Sequence, residues 1–87
     1  MGTIAINTDT MTNDQLAQLV AILSTAAATA YEQSEKITDT AEAANAVGAY
    51  LTHQQAASAA WVALFTRVGI EQAADLCDQY GADPEFV

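Results

Sequence analysis

Positive charge is almost missing from this chain. Lys36 and Arg67 are its only Lys and Arg, against eleven Asp and Glu, for a formal net charge of -9. That shortage excludes a direct grip on DNA or RNA, because phosphates are neutralised by several Lys and Arg. Cysteine is scarce too: Cys77 stands alone, so no disulfide can close within the chain. A small, half-buried apolar residue near a helix end is expected there. The glycines Gly2, Gly48, Gly69 and Gly81 are isolated, and they form neither a G-x-G nor a phosphate-cradling loop. Gly48 is expected to mark a close helix contact.

Catalytic and metal chemistry is equally thin. His53, the one histidine, sits among Thr52, Gln54 and Gln55. A nucleophile and base need a third group to hold the base, and Ser58 would point elsewhere on a helix. His53 is read as exposed or hydrogen-bonded, with a pH switch as its functional reading. Asp75, Cys77 and Asp78 are close in sequence, but only the two carboxylates share a helix face. Two carboxylates do not fill a zinc or calcium shell. A three-helix chain of this size is also expected to lack a pocket of about 300 Å³. No enzyme activity, cofactor or metal is expected.

Long purely apolar runs are absent as well. Ala43 to Thr66 holds no Asp, Glu, Lys or Arg, and it exceeds the about 20 residues of a membrane span. Asn45, Thr52, His53, Gln54, Gln55 and Ser58 interrupt it, and each would need a partner in lipid. No basic segment followed by an apolar one opens the chain, as a secretory signal would. The expectation is a cytoplasmic protein that does not cross a membrane.

What is present describes an all-α protein of one domain. Apolar residues make up 52% of the 87 residues, many of them alanine. Alanine brings little apolar area, at roughly 25 cal/mol per Å². The bulky residues are therefore expected to carry most of the core: Leu16, Leu19, Val20, Ile22, Leu23, Tyr31, Ile37, Val47, Tyr50, Leu51, Trp61, Val62, Leu64, Phe65, Val68, Ile70, Leu76 and Tyr80. A core this modest makes a homodimer a live alternative.

Residues 1–11 read as an extended arm in which Thr3-Ile4-Ala5-Ile6 alternates weakly. Residues 12–81 read as a helical bundle domain, and residues 82–87 as a frayed acidic tail. Thr12 and Gln15 have the spacing of a capping box. From there Leu16, Leu19, Val20, Leu23, Ala27, Ala30 and Tyr31 recur at helical steps to about Lys36. Thr38-Asp39-Thr40 breaks the pattern, with Asp39 as the cap of a second helix running to about Arg67. On that helix Val47, Leu51, Trp61, Phe65 and Val68 fall on one side. Gly69 stops it. A short third helix follows over 70–80, its buried side drawn from Ile70, Ala73, Ala74, Leu76, Cys77 and Tyr80, with Gly81 as its stop. The predicted architecture is an antiparallel helical hairpin of two long helices plus a short third helix.

The acids gather in two clusters. Glu32, Glu35, Asp39 and Glu42 surround the hairpin tip, while Glu71, Asp75 and Asp78 recur at i, i+4 and i+7. The second set forms one row of neighbours about 5–6 Å apart on a helix. Duplex DNA carries one charge per about 3.4 Å of each strand, so a carboxylate row is a stand-in for part of a phosphate row. Like charges at i, i+4 disfavour an isolated helix, so local stability does not explain the row. A solvated face that keeps the protein soluble is the plainer account.

In size, acidity and lack of motif the chain resembles the small anti-restriction and anti-CRISPR proteins of phages. The resemblance is one of character and covers no residue motif. It implies an inhibitor or regulator that mimics nucleic acid and binds the basic surface of a partner, with all seven clustered acids as contacts. The alternative is a self-associating structural protein, a dimeric four-helix bundle using Trp61 and Phe65. A secreted hairpin of the WxG type would share the length and the Tyr31-x-x-x-Glu35 spacing. The turn here carries no W-x-G, and Trp61 is followed by Val62 and Ala63.

Overall fold

Helix α1 (Asn13–Lys36) begins where its local chemistry dictates. The Thr12 hydroxyl accepts the Gln15 N–H at 3.1 Å, and the Gln15 side chain accepts the Thr12 N–H at 2.9 Å. Two orphan donors of the first turn are thus satisfied reciprocally. Lys36 lies in the last turn, at the negative end of the helix dipole. The computed structural model describes residues 8–86, apart from the Phe86 side chain. The Thr3–Ile6 stretch lies outside them. Thr8–Thr10 forms a 3₁₀ turn where an extended arm was expected.

Helix α2 (Thr40–Val68) returns antiparallel after a link of Ile37, Thr38 and Asp39. Asp39 occupies the N-cap position, but its side chain makes no capping hydrogen bond. Gly69 ends the helix at φ +88°, and helix α3 (Ile70–Gln79) begins directly after it. Gly81, at φ +79°, ends α3. Its N–H reaches Asp78 O at 3.1 Å, and the Ala82 N–H reaches Cys77 O at 3.1 Å. These paired bonds satisfy the last carbonyls and turn the chain sharply. The expected all-α hairpin with a short third helix is the observed fold, 43 Å long and 14 Å thin.

The expected α1 stripe of Leu16, Val20, Leu23, Ala27 and Ala30 is buried, but much of the rest of the core departs from expectation. Leu16, Ala17, Val20, Ala60, Leu64, Ala73 and Cys77 form one buried cluster, joining α1, α2 and α3. Leu23, Ala56 and Ala57 form a second, further along the hairpin. Small side chains dominate both, so the helices meet closely. Only the few bulky members contribute the about 1.5–3 kcal/mol of a fully buried large side chain. Ile22 and Ile70 are each 64% exposed, and Tyr31, Val47, Leu51, Val62 and Tyr80 are also exposed. The buried stripe of α2 is Ala56, Ala57, Ala60 and Leu64, which lies around the helix from Val47 and Leu51. On α3, Ala73 and Cys77 are buried, whereas Ile70, Ala74 and Tyr80 face outward.

Two more expectations are corrected. A Cβ at Gly48 would meet nothing within 4 Å, so no close helix contact explains that glycine. The tail is not frayed over its described length. Asp83 N–H donates to Ser24 Oγ at 3.0 Å, and Pro84–Phe86 makes a 3₁₀ turn beside α1.

Candidate partner-binding site

All seven clustered acids are exposed, and the fold separates them into two groups. Glu32, Glu35, Asp39 and Glu42 surround the α1–α2 link. Glu71, Asp75 and Asp78 lie on α3, which packs at the open end of the hairpin. Val20 lies at the level of Asp75 and Asp78, and Glu35 is about 22 Å further along α1 at the helical rise. The two groups therefore do not merge into one patch.

At the tip, Tyr31 and Tyr50 meet edge-to-face at 5.3 Å and 64°, bridging α1 and α2. The Tyr31 phenol hydrogen-bonds to Glu35, one turn on. That bond, and then the Glu35 charge itself, raise the Tyr31 pKa above its ordinary value. Glu35 thus has a hydrogen-bonding neighbour of its own.

The α3 end is electrostatically unbalanced. Arg67, its nearest cation in sequence, does not face the acids as an ion-pair partner. Its guanidinium donates to Met11 O at 2.6 Å and to Thr8 O. This binds the N-terminal 3₁₀ turn to the end of α2. The tether joins residues 56 and 59 positions apart, so no local spacing in the sequence signals it.

Beside the α3 carboxylates lies an open cleft of about 450 Å³, so the expectation that no such space exists is wrong. Asp75 and Asp78 line it together with Trp61 of α2, Val20 of α1 and Pro84 of the C-terminal turn. Trp61 is half-buried against the core and meets Phe65 edge-to-face at 5.5 Å and 62°. Both residues proposed for self-association are therefore partly covered by their own chain. Cys77 also lines the cleft; burial pushes its thiol pKa up, which disfavours the reactive thiolate.

His53 differs from the expected exposed or hydrogen-bonded residue. It is half-buried, and its Nδ1 is enclosed with no hydrogen-bond partner. It faces a shallow groove of about 650 Å³ between α1 and α2, with Thr25, Thr29, Ala49 and Tyr80 on the walls. Among the described residues, no group of three or more His, Cys, Asp or Glu is placed to hold a metal ion. No described helix is long and apolar enough to cross a membrane. Comparison of the chain with protein-family models, with curated proteins and with solved structures gives no match.

Proposed function

We propose that this chain is a small acidic binding protein that docks on a basic partner protein through the α3 face. Glu71, Asp75 and Asp78 would stand in for a short row of nucleic-acid phosphates, so that docking inhibits or regulates a nucleic-acid-binding partner. The observation that supports this reading is the unbalanced α3 row. Three exposed carboxylates share one helix face, while Arg67 is committed to the backbone carbonyls of Thr8 and Met11. The tip cluster stands too far away to share the same contact. Its role in this reading is the long-range field, which speeds encounter with a basic surface and weakens with salt.

The test is capture of partners from lysate by the tagged chain, by wild type and by a Glu71→Lys, Asp75→Lys, Asp78→Lys variant. Salt is raised from about 0.1 M to about 1 M, over which the Debye length falls from about 10 Å to about 3 Å. A nucleic-acid-binding protein captured by wild type only, and only at low salt, supports the reading. Equal capture by the folded variant refutes it.

A second reading has its own support. Val47, Leu51 and Val62 are 40%, 43% and 49% exposed on the uncharged outer face of α2. A second copy packed there would complete a four-helix bundle. A monomer by light scattering at micromolar concentration removes this reading.

A further inference from the structure

We propose that the cleft beside α3 receives one arginine side chain, its guanidinium held between the Trp61 indole and the Asp75 and Asp78 carboxylates. The identity of the arginine's owner rests on the docking reading above, but the cleft can be tested without any partner.

The case begins with the size and the split chemistry of the walls. At about 450 Å³ the space lies within the about 300–1,000 Å³ of ordinary ligand pockets. Trp61, Ala74, Ala82 and Pro84 offer apolar surface, and Asp75 and Asp78 add two carboxylates one helical turn apart. A guest that matches both is apolar along its stem and cationic at its end. Anionic guests such as phosphates are repelled by both carboxylates. A neutral apolar guest would crowd the carboxylates without partnering them, which is unfavourable. A divalent ion finds no third ligand group among the described residues.

Arginine suits the cleft better than lysine. The guanidinium is planar, weakly hydrated and able to stack on an aromatic ring while donating to carboxylates. A lysine ammonium is a compact, strongly hydrated point charge that gains less from the indole. The receptor is also well supported. Phe65 contacts the indole edge-to-face, and the Ser24–Asp83 bond brings the Pro84 wall into place. A cation seated there would be partly desolvated, where attraction to an indole and to carboxylates is strongest.

Trp61 is the only tryptophan, so its emission reports on the cleft alone. The probes are acetyl-Gly-Arg-Gly-amide, its lysine counterpart and its citrulline counterpart, which keeps the shape but loses the charge. The Arg peptide is expected to shift the emission saturably, about tenfold more tightly than citrulline and more tightly than lysine. The Asp75→Asn, Asp78→Asn variant is expected to bind the Arg and citrulline peptides alike. Asp9→Asn, an exposed acid of the N-terminal turn outside the cleft, is expected to keep the preference, with circular dichroism confirming both folds.

Equal binding of Arg and citrulline peptides by wild type overturns the proposal. So does a loss in Asp9→Asn as large as in the double variant, which would mark a general field and no seat. If the Arg peptide fails while partner capture still depends on α3 charge, the cleft proposal falls and the docking reading stands. If the peptide binds while capture ignores α3 charge, the reverse holds.

Discussion

The hydroxyl of Ser24 accepts the backbone N–H of Asp83 at 3.0 Å, joining the middle of α1 to the C-terminal turn. Ser24 is fully buried, and its hydroxyl also donates to Ala21 O at 3.2 Å. One side chain thus uses both its donor and an acceptor site inside the molecule. Ser24→Ala fits the space but strands the Asp83 amide. The expected loss is about 1 kcal/mol, the net value of one hydrogen bond. Amide exchange at Asp83 should quicken more than exchange in α2. An unchanged exchange rate with unchanged stability would mean that packing alone holds the turn.

Arg67 makes the corresponding tie at the other terminus, through Thr8 and Met11. Removing its guanidinium frees two carbonyls that solvent can reach, so the stability change is modest. Arg67→Ala is expected to cost about 1 kcal/mol and to raise amide exchange at Met11, whose N–H donates to Thr8 O at 3.3 Å. Arg67→Lys should restore only part of the loss, since one ammonium lacks the planar fork that spans both carbonyls. Exchange at Met11 equal to wild type in Arg67→Ala would show that the turn does not depend on this tether.

These two ties also mark the limit of what could be read from the chain. Local signals were legible: the Thr12–Gln15 box and the stops at Gly69 and Gly81 depend on residues a few positions apart. The phase of α2 was not. With no charge from Ala43 to Thr66 there is no polar face to orient the helix, and bulk pointed to Val47 and Leu51. Alanine won instead, because small side chains let α1 and α2 approach closely along Ala56, Ala57 and Ala60. The exposure of the acids was legible from charge alone. The cleft was not, because it needs α3 laid beside Trp61 and the tail folded back to Ser24. Both depend on contacts between residues far apart in sequence.

Gly48 and Gly69 should respond in opposite directions to the same change. Gly48 lies inside α2, with open space where a Cβ would go. Gly48→Ala is expected to stabilise the fold by up to about 1 kcal/mol, by helix propensity and a less flexible unfolded chain. Gly69 sits at φ +88° and ψ 159°, a region open almost only to glycine. Gly69→Ala is expected to cost about 1–3 kcal/mol, although no atom would clash with the new methyl. Thermal melts of the two variants against wild type give the signs. A destabilised Gly48→Ala would reveal a need for flexibility at that point of α2.

The Tyr31–Glu35 pair predicts where alkaline pH should weaken the fold. Hydrogen bonding to the Glu35 carboxylate, followed by its charge, raises the Tyr31 pKa from its ordinary 10.0. A raised folded value means that the native state holds this proton more tightly than the unfolded chain. Its contribution is complete below the ordinary value and is lost as pH rises through the raised one. Stability from this pair should therefore be flat at neutral pH and decline above about pH 10. Cys77 adds a loss of the same sign, since burial raises its pKa from 9.0. Comparing wild type with Tyr31→Phe cancels the thiol and leaves the tyrosine. The difference in melting temperature between the two should shrink above about pH 10. Glu35→Gln should lower the Tyr31 pKa, read from the pH dependence of its ring resonances. A Tyr31 titration unmoved by Glu35→Gln would show that the carboxylate does not hold the phenol proton.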